Sequence, residues 1–184
     1  MGKRSDFERI PRDYYPTPLA AVEPLIPHLP YSFDYVEPCA GDARLIQHID
    51  ELTDGHGECL YACDIEPRHP DVFAFDALTL DIGGRGVVDY CITNPPWDRK
   101  ILHPFIEHWM QQCPTWLLFD ADWMHTKQST VLMSYCTKVV SVGRVKWIEG
   151  SKGVGKDNCA WYCFYADDDM TKEAKPTEFF GRMI

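Results

Sequence analysis

The sequence predicts an α/β fold, a single Rossmann-like sheet with helices on both faces. Three observations predict it. Tyr35-Val36 runs through Gly41 into a segment where Leu45, Ile46, Ile49 and Leu52 recur at helical spacing. Strand, glycine turn and helix in that order open a nucleotide-binding unit. Acids then stand at successive strand ends, Asp64 after the apolar run 58–63 and Asp76 after 72–75, where a doubly wound fold places ligand-binding carboxylates. The β-branched run 90–93 stops at Asn94-Pro95-Pro96, because two prolines supply no N–H to a ladder.

Taken in order, residues 1–13 form a polar arm made basic by Lys3, Arg4, Arg9 and Arg12. Tyr14-Tyr15-Pro16-Thr17-Pro18 is extended through Thr17, since a residue before proline is pushed out of helical geometry. A helix over 19–26 follows, with Thr17 as its candidate cap and Pro18 in its first turn. The loop from Glu37 to Ala43 carries one glycine and two acids, Glu37 and Asp42. It repels pyrophosphate and suits a ligand with cationic groups and no phosphate, a description that S-adenosylmethionine meets. Asp64 follows Gly41 at close to the spacing of about 20 residues expected of a ribose-binding acid.

After the proline turn a helix is expected over 101–112 and strands over 115–119, 139–142, 145–148 and 159–165, with a further helix over 126–136. Residues 150–156 match the G-x-x-x-x-G-K of a phosphate loop. Asp157 stands where Ser or Thr must bind magnesium, and an extended run follows in place of a helix, so a nucleotide site there is excluded. Lys152 and Lys156 in that segment are candidates for contacts to a substrate strand. The expected organisation is an arm at 1–13, one catalytic domain at 14–166 and an acidic tail at 167–184 that is disordered or docks on a partner.

Composition bounds the class. At 184 residues, 45% hydrophobic and 25% charged, the chain reads as one soluble domain. No apolar run reaches the length of a membrane span and no signal core opens the chain, so a cytoplasmic protein is expected. The eight cysteines lack a secretory context and read as reduced core residues, with no metal site. A net charge of −10 argues against a protein that coats nucleic acid electrostatically.

The proline turn carries the chemistry. Its backbone is stiff, so the Asn94 amide projects from a fixed point and the Pro95 carbonyl is left free of ladder duty. Trp97 adds a flat apolar face. Two acceptors and a stacking surface suit a planar group bearing an NH2.

The motifs YYPTP at 14–18, VEPCAGDA at 36–43, YACDIEP at 61–67, FD at 75–76 and ITNPPW at 92–97 occur in one order. Over residues 12–165 the chain resembles the S-adenosylmethionine-dependent DNA N6-adenine methyltransferases, especially small phage-encoded ones. The resemblance implies a class I methyltransferase sheet, mainly parallel with an antiparallel last strand. It implies that Tyr15, Thr17 and Pro18 hold the methionine end of the cofactor, with Glu37, Cys39 and Gly41 beneath it. Asp64 and Ile65 would hold the ribose and Asp76 the adenine. Asn94, Pro95, Pro96 and Trp97 would be the catalytic set, with Asn94 also touching cofactor and Trp97 stacking a flipped base. The sequence departs from the family at Asp42-Ala43, where a second glycine is frequent.

The expected substrate is then DNA in the host cytoplasm, as in restriction-modification. The strands after Trp97 use most of the remaining residues, so specificity is short or relaxed, or supplied by a homodimer mate or recognition partner. RNA adenine and protein glutamine are the alternatives for the same chemistry. A non-catalytic binding protein is the rival from another class, and it predicts that Asn94→Ala leaves the biological effect intact.

Overall fold

The computed structural model describes residues 14–83, 86–148, 150, 155–166 and 176–182. These build an eight-stranded sheet in the order β3-β2-β1-β4-β5-β7-β6-β8. The strands are β1 (Phe33–Glu37), β2 (Gly57–Asp64), β3 (Phe73–Ala74), β4 (Tyr90–Thr93), β5 (Thr115–Asp120), β6 (Cys136–Gly143), β7 (Cys159–Phe164) and β8 (Glu178–Phe180). The first five are parallel to one another, and β7 is antiparallel to both β5 and β6. The antiparallel strand therefore lies inside the sheet, with β6 and β8 beyond it.

Burial on both faces explains the apolar runs, since successive side chains of a strand alternate between faces. In β5, Trp116 and Leu118 join the cluster that holds Ala21 and Val22 of α1 (Leu19–Val22) and Leu45 and Ile49 of α2 (Arg44–Thr53). Leu117 and Phe119 face the other way, onto Phe105, Ile106 and Trp109 of α3 (Arg99–Trp109). All six residues of β7 are buried. Trp161 of that strand donates its indole N–H to the Ala21 carbonyl at 2.7 Å, which pins α1 to the sheet. All eight cysteines are free, six of them buried. Among the described residues no helix is long and apolar enough to cross a membrane.

Several elements depart from the sequence expectation. The helix expected over 19–26 is four residues of α1 and a 3-10 turn at Ile26–His28, because Pro24 has no N–H to give the Ala20 carbonyl. Pro18 is its N-cap, and no side chain caps it. The expected helix over 126–136 is broken into 3-10 turns and a short α4 (Thr130–Met133). Local hydroxyls compete there: Thr126 Oγ1 donates to the Trp123 carbonyl, and Ser129 Oγ to those of Met124 and Thr126. Residues 145–148 are not a strand, and the Val145 carbonyl accepts from the Gly155 N–H instead. In the acidic tail, β8 pairs parallel with β6 and sets the Phe180 ring 4.3 Å from His28.

Candidate active site

Strands β2 and β4 flank β1 on opposite sides, and their connections leave in opposite directions. The crevice at such a switch point, outside the carboxyl ends of the strands, is the ligand position of an open α/β sheet. A cavity of about 650 Å³ opens there. It is walled by the segment 14–17, the β1–α2 loop, the ends of β2 and β3, and the turn after β4.

The β1–α2 loop is shaped by two left-handed residues, Gly41 at φ +51° and Ala43 at φ +63°. The departure from a second glycine is thus accommodated by an alanine in a conformation that costs an L-residue about 1–2 kcal/mol. Gly41 is required by space as well. A Cβ added there would lie 2.7 Å from Cε2 of Tyr14. The Tyr14 ring rests on Gly41 with the Arg68 guanidinium over it at 3.7 Å, and the backbone N–H of Arg68 donates to the Gly41 carbonyl at 2.9 Å. Asp64 braces the same loop: Oδ2 accepts from the Gly41 N–H at 3.0 Å and Oδ1 from the Glu66 N–H at 2.8 Å.

Asn94 sits directly after β4, half-buried, and both ends of its amide bond to protein. Nδ2 donates to the Tyr15 carbonyl at 3.2 Å and to Thr17 Oγ1 at 3.3 Å. Oδ1 accepts from the Trp97 indole N–H at 3.2 Å, which also donates to the Leu118 carbonyl at 3.1 Å. Trp97 packs against both core clusters, with Trp147 edge-on at 5.7 Å. The stacking face expected of Trp97 is therefore a half-buried ring held by its N–H.

The cavity is acidic. Asp42, Asp64, Glu66, Asp76 and Asp98 line it among the described residues, against one guanidinium, that of Arg68. Glu37, at the end of β1, is 2% exposed, and its Oε2 has no hydrogen-bond partner among the described residues. Burial, then the nearby charges of Asp64 and Asp42, push its carboxyl well above the ordinary carboxylate range. Burial, with Asp64 and Glu37, likewise raises the Cys39 thiol.

The Glu37 shift gives a testable pH dependence. The folded chain keeps the proton where the unfolded chain loses it, so this contribution is intact below the unfolded pKa. It falls as pH rises from there toward the folded value, by at most about 1.4 kcal/mol per pH unit. Glu37→Gln removes that slope. Urea midpoints at pH 5 and pH 8 should fall more steeply with pH for the wild type than for the amide variant.

Of the residues singled out in the sequence, Tyr15, Thr17, Cys39 and Gly41 line the cavity, as do Asp64, Ile65, Asp76, Asn94 and Pro96. Pro18, Glu37, Pro95 and Trp97 are not among the lining residues, and Lys156 is exposed on the loop before β7. Lys152 lies outside the described residues. Trp147 was not singled out. It packs edge-on to both Trp97 and Tyr15, and within the strand expected over 145–148 it read as one more apolar residue.

No protein-family model matches the sequence, and no curated protein matches it. Solved structures do. A dimethyladenosine transferase from Plasmodium falciparum is 14% identical with a TM-score of 0.56, the match covering 87% of this chain and 65% of that one. A putative class I S-adenosylmethionine-dependent methyltransferase from Listeria monocytogenes is 14% identical with a TM-score of 0.57, covering 89% and 62%. The methyltransferase subunit of a type I restriction-modification system from Streptococcus thermophilus is 11% identical at 0.52, covering 85% and 45%. The chain thus spans less than two thirds of each of these structures. The likeness establishes the fold as the Rossmann-like sheet of class I methyltransferases.

Proposed function

We propose that the chain transfers a methyl group from S-adenosylmethionine to the exocyclic N6 amine of adenine in DNA. The observation that carries this reading is the Asn94 amide, held rigidly at the end of β4 in a cavity lined by carboxylates.

The cavity suits that cofactor. An excess of carboxylates favours a sulfonium and an ammonium and disfavours phosphate. Bound there, S-adenosylmethionine supplies an electrophilic methyl group. Asp64, with two oxygens each able to take a second donor, would hold the ribose hydroxyls. Asp76 would take the adenine amine of the cofactor, and Thr17, followed in the chain by Pro18, would bound its methionine end. In the target base, the amine lone pair is delocalised into the ring. Asn94 Oδ1 and the Pro95 carbonyl would hold the amine hydrogens, localise that lone pair and stabilise the positive charge that develops on nitrogen. The proton turns acidic only after attack, so no strong base is needed. The amine is out of reach inside a duplex, so the base must leave the stack. Arg99 and Lys100, exposed in the first turn of α3 just after the site, supply cations for the flanking phosphates.

The test is transfer of labelled methyl from S-adenosylmethionine to unmethylated duplex DNA, with RNA and total protein in parallel, followed by nucleoside analysis. N6-methyladenine in DNA is expected. Label on RNA or on glutamine would keep the chemistry and move the substrate, and no label on any acceptor would favour a binding protein without turnover.

A further inference from the structure

We propose that Thr17 and Trp97 are positioning residues that lock the Asn94 amide in one orientation, leaving only its oxygen to meet an incoming group. The inference rests on reading Asn94 as the acceptor of the target amine. A primary amide has two N–H donors and one oxygen with two lone pairs. Both hydrogens are committed, one to the Tyr15 carbonyl and one to Thr17 Oγ1, and one lone pair takes the Trp97 N–H.

Two of the three partners have no choice of role, since a backbone carbonyl only accepts and an indole N–H only donates. Rotating the amide by half a turn would set oxygen against the Tyr15 carbonyl and hydrogens against the indole N–H. The Trp97 N–H is itself fixed, because it is shared with the Leu118 carbonyl of β5. Thr17 is 5% exposed, so its hydroxyl has little water to turn to.

The lock has a chemical consequence. With no free N–H, Asn94 offers an acceptor and nothing else. A group bearing N–H satisfies it, and a carbonyl presented at the same place meets lone pair with lone pair. The lock therefore selects amino groups over keto groups. It also assigns Thr17 a role apart from holding cofactor, and Trp97 one that a phenyl ring cannot fill.

Thr17→Val keeps the shape and removes the hydroxyl. Thr17→Ser returns it, and Trp97→Phe removes the indole N–H. At saturating cofactor, kcat should fall about tenfold in Thr17→Val and in Trp97→Phe, the worth of one hydrogen bond of about 1.4 kcal/mol. Cofactor Kd by calorimetry should stay within about twofold in Trp97→Phe and rise by less than kcat falls in Thr17→Val, whose lost bond also loosens the 14–17 segment, and Thr17→Ser should restore most of kcat. Activity is not the only readout. The side-chain NH2 of Asn94, assigned by its loss in Asn94→Ala, should exchange slowly with solvent in the wild type, and one of its protons should exchange faster in Thr17→Val.

A Thr17→Val enzyme with raised Kd and unchanged kcat would overturn the proposal, since Thr17 would then only hold cofactor. So would an Asn94 NH2 in the wild type that exchanges as fast as a surface asparagine. A protected NH2 in a protein that methylates no DNA, RNA or protein would uphold the lock and reject the acceptor reading of Asn94.

Discussion

Asn94→Ala is expected to lower the rate of methyl transfer by about 10²–10³-fold at saturating cofactor, the loss seen when one preorganised polar group facing developing charge is removed. An amide that met only the target base would give a clean split, with cofactor binding largely unchanged. The structure predicts more, because the same amide clasps the Tyr15 carbonyl and Thr17 Oγ1, both on the segment that walls the cavity. Cofactor binding should therefore weaken severalfold, on the scale of two lost hydrogen bonds of about 0.5–1.5 kcal/mol each, partly recovered by water. Single-turnover transfer and calorimetry separate the two effects. A variant that keeps transfer within a factor of a few would remove Asn94 from the chemistry and place the acceptor of the target amine elsewhere in the cavity.

Asp64→Ala should act on the other half of the site, weakening cofactor binding about 10–100-fold while leaving the rate at saturation far less affected. The figure corresponds to losing charged hydrogen bonds worth about 1.5–3 kcal/mol. Part of the loss arises without any ligand. The carboxylate ties the Gly41 N–H to the Glu66 N–H, and its removal leaves both loops without their brace. Asp64→Asn, with one oxygen for two N–H groups, should fall between wild type and alanine. An unchanged Kd in Asp64→Ala would mean that the ribose lies elsewhere.

Much of this architecture was legible because its determinants are local. Apolar runs bounded by glycine, proline and acid marked the strands. Gly41, Asp64 and Asn94 were bound to meet, since βαβ connections return the chain to the same edge of the sheet. What was not legible depended on distant partners. The segment 126–136 has helical spacing, yet its hydroxyls take the carbonyls that a helix would need. Short and alone, Glu178-Phe179-Phe180 becomes a strand only because β6 offers an edge. Trp97 read as a platform because nothing near it in sequence announces the Leu118 carbonyl that holds its N–H.

The insertion of β7 between β5 and β6 bears on how the molecule is made. As the chain leaves the ribosome, β1 through β5 can assemble in order, but the outer edge of β5 must wait, and β6 emerges before the strand that separates them. Pairings between residues distant in sequence are slow and leave open edges exposed meanwhile. The same strand brings Trp161 to the Ala21 carbonyl, so α1, and with it the segment 14–17 over the cavity, is secured only once β7 has emerged. The wall of the crevice that comes first in the chain is thus fixed by a strand that emerges after both of its own neighbours in the sheet.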